Sequence, residues 1–182
     1  MKRNELDKQE KLKALLKYYY NQFNKDVKVY AVNDFFRTDG QALNRPDLII
    51  LNTKPTAKKF VTRNNLTSPI GIELKDTKKW NDTTTGLIKA QDYLDYNYEI
   101  RETGLQVKLN TIAFATSNSI RKGIVCSDLK DNDLIERFAW KLGSPILLNH
   151  ENTLVWSFRN YYFNLNGTAY GGFGKNGFFY KY

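Results

Sequence analysis

Arg45-Pro46-Asp47-Leu48-Ile49-Ile50-Leu51 and Ile70-Gly71-Ile72-Glu73-Leu74-Lys75 are the stretches on which the reading of this chain turns. A Pro-Asp step opens one apolar strand and a Glu-x-Lys step closes another. On a strand, residues i and i+2 share a face. Glu73 and Lys75 therefore point one way while Ile70, Ile72 and Leu74 point the other. If the strand after Asp47 pairs beside the strand of Glu73, two carboxylates and an ammonium converge on one spot. That is the equipment a divalent cation and a phosphodiester require.

Pro46-Asp47, then 25 intervening residues, then Glu73-Leu74-Lys75 and a helix carrying Gln91 resemble the motif of the PD-(D/E)xK nuclease superfamily. This is the fold of many restriction endonucleases, Holliday junction resolvases and phage recombination exonucleases. Both motif halves lie on expected strands, and a hairpin loop fits the gap. The resemblance implies an α/β, restriction-endonuclease-like core of helix, three strands, helix and strand around a mixed central sheet. It also implies a metal-dependent nuclease hydrolysing DNA, structure- or sequence-selective in its cutting and working as a homodimer.

Composition is compatible with that expectation. A chain of 182 residues with 41% hydrophobic and 26% charged residues reads as one globular domain, 1–182, with a core over about 5–116 and a C-terminal extension over about 117–182. The 28 Lys and Arg against 19 Asp and Glu leave a net charge of +9. The excess is uneven: Lys54, Lys58, Lys59 and Arg63 stand between Asn52 and Ser68 with no acid, and no acid follows Glu151. A polyanionic partner is the natural reading, with a basic surface for solubility as the plain alternative. A lone cysteine, Cys126, rules out an internal disulfide and a thiolate cluster. A lone histidine, His150, leaves chemistry built on paired histidines with nothing to use. No apolar run approaches a membrane span and the N-terminus has no apolar signal core, so a cytoplasmic protein is expected; the family resemblance is what suggests a phage or mobile element as its source.

The elements follow from periodicity. Glu5 to Phe23 is rich in helix formers, with Leu12, Leu16, Tyr19 and Phe23 on one stripe that Glu5 and Gln9 extend. Val27 to Val32 reads as a strand, Thr38-Asp39-Gly40 as a turn, Leu48 to Leu51 as an interior strand and Pro69 to Lys75 as the next. Asp76 to Thr85 reads as a loop, with Thr83 to Thr85 as helix N-caps. Leu87, Ile88, Leu94 and Tyr98 mark a helix ending near Gly104, and Asn110 to Thr116 a strand that can pair parallel to the one before it. In the last third, Asp131 to Gly143 reads as an amphipathic helix. Ile146 to Leu148 and Thr153 to Phe158 read as strands about a turn at Asn149 to Asn152, followed by aromatics alternating with glycines to Tyr182.

Hydrolysing a phosphodiester means neutralising its charge, presenting a deprotonated water and stabilising the leaving oxygen. Asp47 and Glu73 suit a hard cation, Mg²⁺ with Mn²⁺ as substitute. The family resemblance adds the backbone carbonyl of Leu74. Lys75 would orient or deprotonate the water, a task for which burial and a neighbouring cation lower a lysine's pKa. Gln91 lies at the centre of the Leu87, Leu94 and Tyr98 stripe, where an amide must find hydrogen bonds or cost about 1–3 kcal/mol. The resemblance implies a glutamine here that touches water or phosphate; the bland alternative is a core-edge amide bonded to backbone. It also implies a first-helix glutamate, for which Glu5 is the candidate and Glu10 the fallback, with Asp34 and Asp39 behind them.

For DNA contact the candidates are Lys54, Lys58, Lys59, Arg63, Lys78, Lys79, Arg121 and Lys122. The aromatic tail reads as strand residues packing on a sheet, with base stacking as the alternative. Two rival classes remain open at this stage. One is a nucleic-acid-binding module that kept the fold without the chemistry; the other is an α+β protein whose charge serves an acidic protein partner.

Overall fold

The two motif stretches form neighbouring antiparallel strands at the heart of a mixed α/β architecture. The computed structural model describes residues 3–22, 26–53, 68–75, 80–116, 138–139, 141–150, 153–158, 161–165, 169–173 and 179–181. The chain begins with α1 (Arg3–Asn21), β1 (Val27–Ala31), β2 (Phe35–Arg37), β3 (Leu48–Asn52), β4 (Ile70–Lys75) and α2 (Trp80–Gln91). A 3-10 turn (Asp92–Asp95) leads into β5 (Asn97–Ile100), β6 (Leu105–Lys108) and β7 (Thr111–Thr116). The C-terminal strands are β8 (Ile146–His150), β9 (Thr153–Phe158), β10 (Tyr161–Asn164), β11 (Ala169–Phe173) and β12 (Phe179–Lys181).

Among the described residues the main sheet runs β1-β3-β4-β7-β8-β9-β10-β11-β12, and β2-β5-β6 make a second, smaller sheet. β4 is antiparallel to β3 and parallel to β7, and β7 is parallel to β8. A parallel neighbour requires a crossover, and α2 with the β5–β6 hairpin supplies it between β4 and β7. The strands β9 to β12 continue the sheet as antiparallel neighbours, so the described residues of the aromatic tail are largely strand, as their alternation suggested.

Each face of the central strands is buried. On one face Leu12, Leu16 and Tyr20 of α1 pack on Val29, Leu48, Ile50, Ile70, Ile72 and Ala113, with Leu74 at the margin. Burying Leu12 and Leu16 contributes about 1.5–3 kcal/mol each. On the other face Leu87, Ala90 and Tyr93 meet Ile49, Ile112, Phe114, Phe35 and Tyr98. Gly71 suits that packing: a Cβ there would sit 2.8 Å from both Ile112 Cδ1 and Leu109 Cδ1, so both buried side chains would have to shift. No helix among the described residues is long and apolar enough to cross a membrane.

The structure corrects several boundaries. Tyr20, not Tyr19, completes the buried stripe of α1, being 0% exposed, while Phe23 lies outside the described residues. The residues Thr83 to Thr85 are inside α2, which already begins at Trp80, and Ile88 is 56% exposed rather than inward. The helix expected to reach Gly104 ends at Gln91; Gly104, at φ +66°, instead closes the β5–β6 turn. Tyr98 deceived the periodicity because it follows Leu94 by four residues, yet with Ile100 it faces the core at strand spacing. Asn149 and His150 belong to β8, not to the turn. Most of the Asp131–Gly143 helix lies outside the described residues; its end is visible at 138–139, with Gly143 at φ +75° as the stop.

Candidate active site

β3 and β4 pair Leu48↔Ile72, Ile49↔Gly71 and Ile50↔Ile70. Just before the first of these rungs, at the start of β3, Asp47 lies beside Glu73, close enough for the two charges to act on each other. The Asp47 N–H donates to the Ile72 carbonyl at 2.9 Å, and the Leu74 N–H donates to Asp47 Oδ2 at 2.7 Å. The aspartate carboxylate thus takes the place of the next strand residue along the β4 edge. Gln9, on the same inward face of α1 as Leu12 and Leu16, donates its amide to the other oxygen, Asp47 Oδ1.

Glu73 is buried, and Lys75 Nζ meets its Oε1 at 2.6 Å. Tyr93, from the 3-10 turn after α2, donates its hydroxyl to Glu73 Oε2 at 3.3 Å. Burial, then the charges of Glu73 and Asp47, push the Tyr93 phenol far upward, so it remains a donor. Burial and then the Glu73 carboxylate also raise Asp47, to about 7. The Leu74 N–H, Lys75 and Gln9 oppose that rise without cancelling it. The expected burial of Lys75 is not realised: its side chain is 39% exposed. It lies across Gly86 of α2, where a Cβ would come within 2.7 Å of Lys75 Cε.

The approach to Asp47 is held by Arg37, 6% exposed. Its Nε and Nη2 donate to the two oxygens of Asp39, its Nη1 donates to the Leu43 carbonyl at 2.9 Å, and its guanidinium stacks 3.5 Å over Tyr96. These contacts fix the loop, including Asn44 at φ +56°, that delivers Pro46-Asp47 to the end of β3.

Asp47, Glu73, Leu74 and Lys75 are therefore brought together. Gln91 is not among them: its Nε2 donates to Ser144 Oγ at 3.0 Å, a residue 1% exposed. Gln91→Ala is expected to cost about 1 kcal/mol of stability and to leave any catalytic rate near that of the parent. Thermal melts and single-turnover rates on the same preparation decide it. Asp34 and Asp39 are engaged elsewhere, by Lys13 and Arg37. Glu5 lies on α1 one turn before Gln9, but its side chain falls outside the described set, and Glu10 is 3.8 Å from Lys13. Lys54, Lys58, Lys59, Arg63, Lys78, Lys79, Arg121 and Lys122 all lie outside the described residues.

Sequence reasoning missed Gln9, Tyr93 and Gly86. Gln9 carried the signal applied to Gln91, an amide on a core-facing stripe, and Gly86 carried another, a mid-helix glycine that costs about 1 kcal/mol relative to alanine. Tyr93 gave no sign, since core tyrosines are common.

Two carboxylates against one ammonium leave excess negative charge in a largely buried place, which favours a cation. The donors are hard oxygens, and strand geometry directs the Leu74 carbonyl to the same edge as its N–H. Among the described residues no three His, Cys, Asp or Glu side chains cluster. A two-carboxylate set fits Mg²⁺, which keeps water and substrate oxygens as its other ligands. Comparison with protein-family models, with curated proteins and with solved structures finds no match.

Proposed function

We propose that this chain is a metal-dependent nuclease of the PD-(D/E)xK kind, cutting DNA phosphodiester bonds as an endonuclease on a restriction-endonuclease-like core. The observation that carries the reading is the Asp47 carboxylate held on the Leu74 N–H beside Glu73 at the β3–β4 end, with Lys75 paired to Glu73 from two residues further along. Asp47, Glu73 and the Leu74 carbonyl would hold Mg²⁺, or Mn²⁺ in its place. When bound, such an ion polarises a phosphoryl oxygen and acidifies its water. The chain's own part is positional. Gln9 and the Leu74 N–H fix the Asp47 carboxylate, Tyr93 fixes that of Glu73, and Lys75, partly exposed, orients the attacking water.

Supercoiled plasmid and branched oligonucleotides incubated with Mg²⁺, Mn²⁺, Ca²⁺ or EDTA test the proposal. Cutting is expected with Mg²⁺ and Mn²⁺, binding alone with Ca²⁺, and neither nicking nor degradation in EDTA. Full activity in EDTA overturns the metal mechanism. No cutting under any metal turns the site over to the alternative, a binding module without chemistry.

Gly86 supplies a sharper probe. Alanine there must push aside the flexible end of Lys75, a cheap move, while gaining up to about 1 kcal/mol of helix propensity. Gly86→Ala is expected to lower the cleavage rate at saturating Mg²⁺ while the melting temperature holds or rises. An unchanged rate would show that the path of Lys75 over α2 is immaterial.

A further inference from the structure

Beside β1, the last described strand on its side of the main sheet, α1 and the β5–β6 turn enclose a cleft of about 530 Å³. Its charged lining is Lys13 and Lys17 from α1, Lys28 from β1 and Arg101 from the turn, against Asp34 and Glu102. Lys13 is committed to Asp34 at 2.7 Å. The balance rests with Lys17, Lys28 and Arg101, all exposed, against Glu102 alone. Among the described residues no carboxylate is ion-paired with any of these three. The wall is tied to the loop before β2 and to β2 itself: the Arg101 N–H donates to the Asp34 carbonyl at 2.9 Å, and its guanidinium lies 4.9 Å over the Phe36 ring.

The cleft is also in line with the acid pair. Gln9, Lys13 and Lys17 succeed one another at four-residue steps on one face of α1, about 6 Å apart along the axis. Gln9 holds Asp47, Lys13 holds Asp34, and Ala31, three residues before Asp34, pairs with Leu48 next to Asp47. The concavity therefore starts one helical turn from the acids and carries its free cations away from them. Its volume suits one backbone rather than a duplex.

We propose that this cleft binds the sugar–phosphate backbone of a single nucleic-acid strand leading away from the Asp47–Glu73 site, with Lys17, Lys28 and Arg101 as phosphate contacts. Only the direction of the strand rests on the nuclease reading. The contacts are electrostatic and blind to sequence.

The test is fluorescence anisotropy of a labelled single-stranded oligonucleotide in EDTA across a KCl series, with cleavage assayed separately in Mg²⁺. Lys17→Gln, Lys28→Gln and Arg101→Gln combined should flatten the slope of log affinity on log salt by about 2, at roughly 0.7 per lost contact on single strands. A charge-matched variant at Lys11, Lys89 and Lys108, exposed and outside the cleft, should keep a slope close to the parent's. Equal slopes in parent and cleft variant overturn the proposal, as do equal falls in both variants. A flattened slope in a protein that cuts nothing retires the nuclease reading and keeps the cleft; intact cleavage with an unchanged slope does the reverse.

Discussion

Asp47→Ala and Glu73→Ala are each expected to reduce Mg²⁺-dependent DNA cleavage at least about a thousandfold, roughly 4 kcal/mol of barrier. The size follows from the donor set: with only two carboxylates converging among the described residues, removing either takes half of the anionic charge that would hold the ion. Lys75→Ala should also abolish turnover, yet leave Ca²⁺-supported DNA binding in place, because its ammonium is asked to act on the water and not on the metal. Loss of the fold is a trivial explanation that Asp47→Asn removes. The new amide keeps an oxygen for the Leu74 N–H, and Gln9 can reverse its own amide to meet the new NH₂ group. An active Glu73→Ala protein of unchanged fold sinks the mechanism; a folded, inert Asp47→Asn protein supports it.

The pairing of the two motif strands was legible because apolar runs bounded by Pro46 and Lys75 leave few alternatives. The alternation Ile70, Ile72, Leu74 against Glu73, Lys75 then dictated which face carries charge, and the packing of Leu74 toward α1 follows it. β7 parallel to β4 was legible from the intervening crossover. The β5–β6 hairpin was not, because Leu94 and Tyr98 satisfy a helical period and a strand period at once. β2 escaped because three residues, Phe35 to Arg37, offer too short a window for any period.

In the site, legibility ended where tertiary contacts began. Asp47, Glu73 and Lys75 announce themselves by local pattern, whereas Gln9 and Tyr93 reach the acids from elements far along the chain. Gln91 shows the limit of the argument from a polar residue on a core stripe: the amide did require a partner, but Ser144, at the entrance to β8, provides it. The rule identified a need for hydrogen bonds and could not say where they would be met.

In the metal-free protein, stability is expected to fall as pH rises from about 4 to about 7, and to level off above. Asp47 drives this. Burial and the nearby Glu73 carboxylate lift it from the ordinary 3.8 to about 7 in the folded state, while in the unfolded chain it titrates normally. Between those values the folded state holds a proton that the unfolded state has released, so the slope of unfolding free energy against pH is negative. The contribution is whole below the unfolded pKa and is lost as pH passes through the folded one. Urea melts in EDTA at pH 5, 6, 7 and 8 measure it. Asp47→Asn should remove most of the slope and be more stable than the parent at pH 8, since it keeps the shape and discards the buried charge. Mg²⁺ added to the parent at pH 8 should raise stability with the logarithm of its concentration above Kd, and should do far less for the variant. The same slope in parent and variant would show that Asp47 ionises freely in the folded protein, and would remove the electrostatic argument for a cation at the Asp47–Glu73 pair.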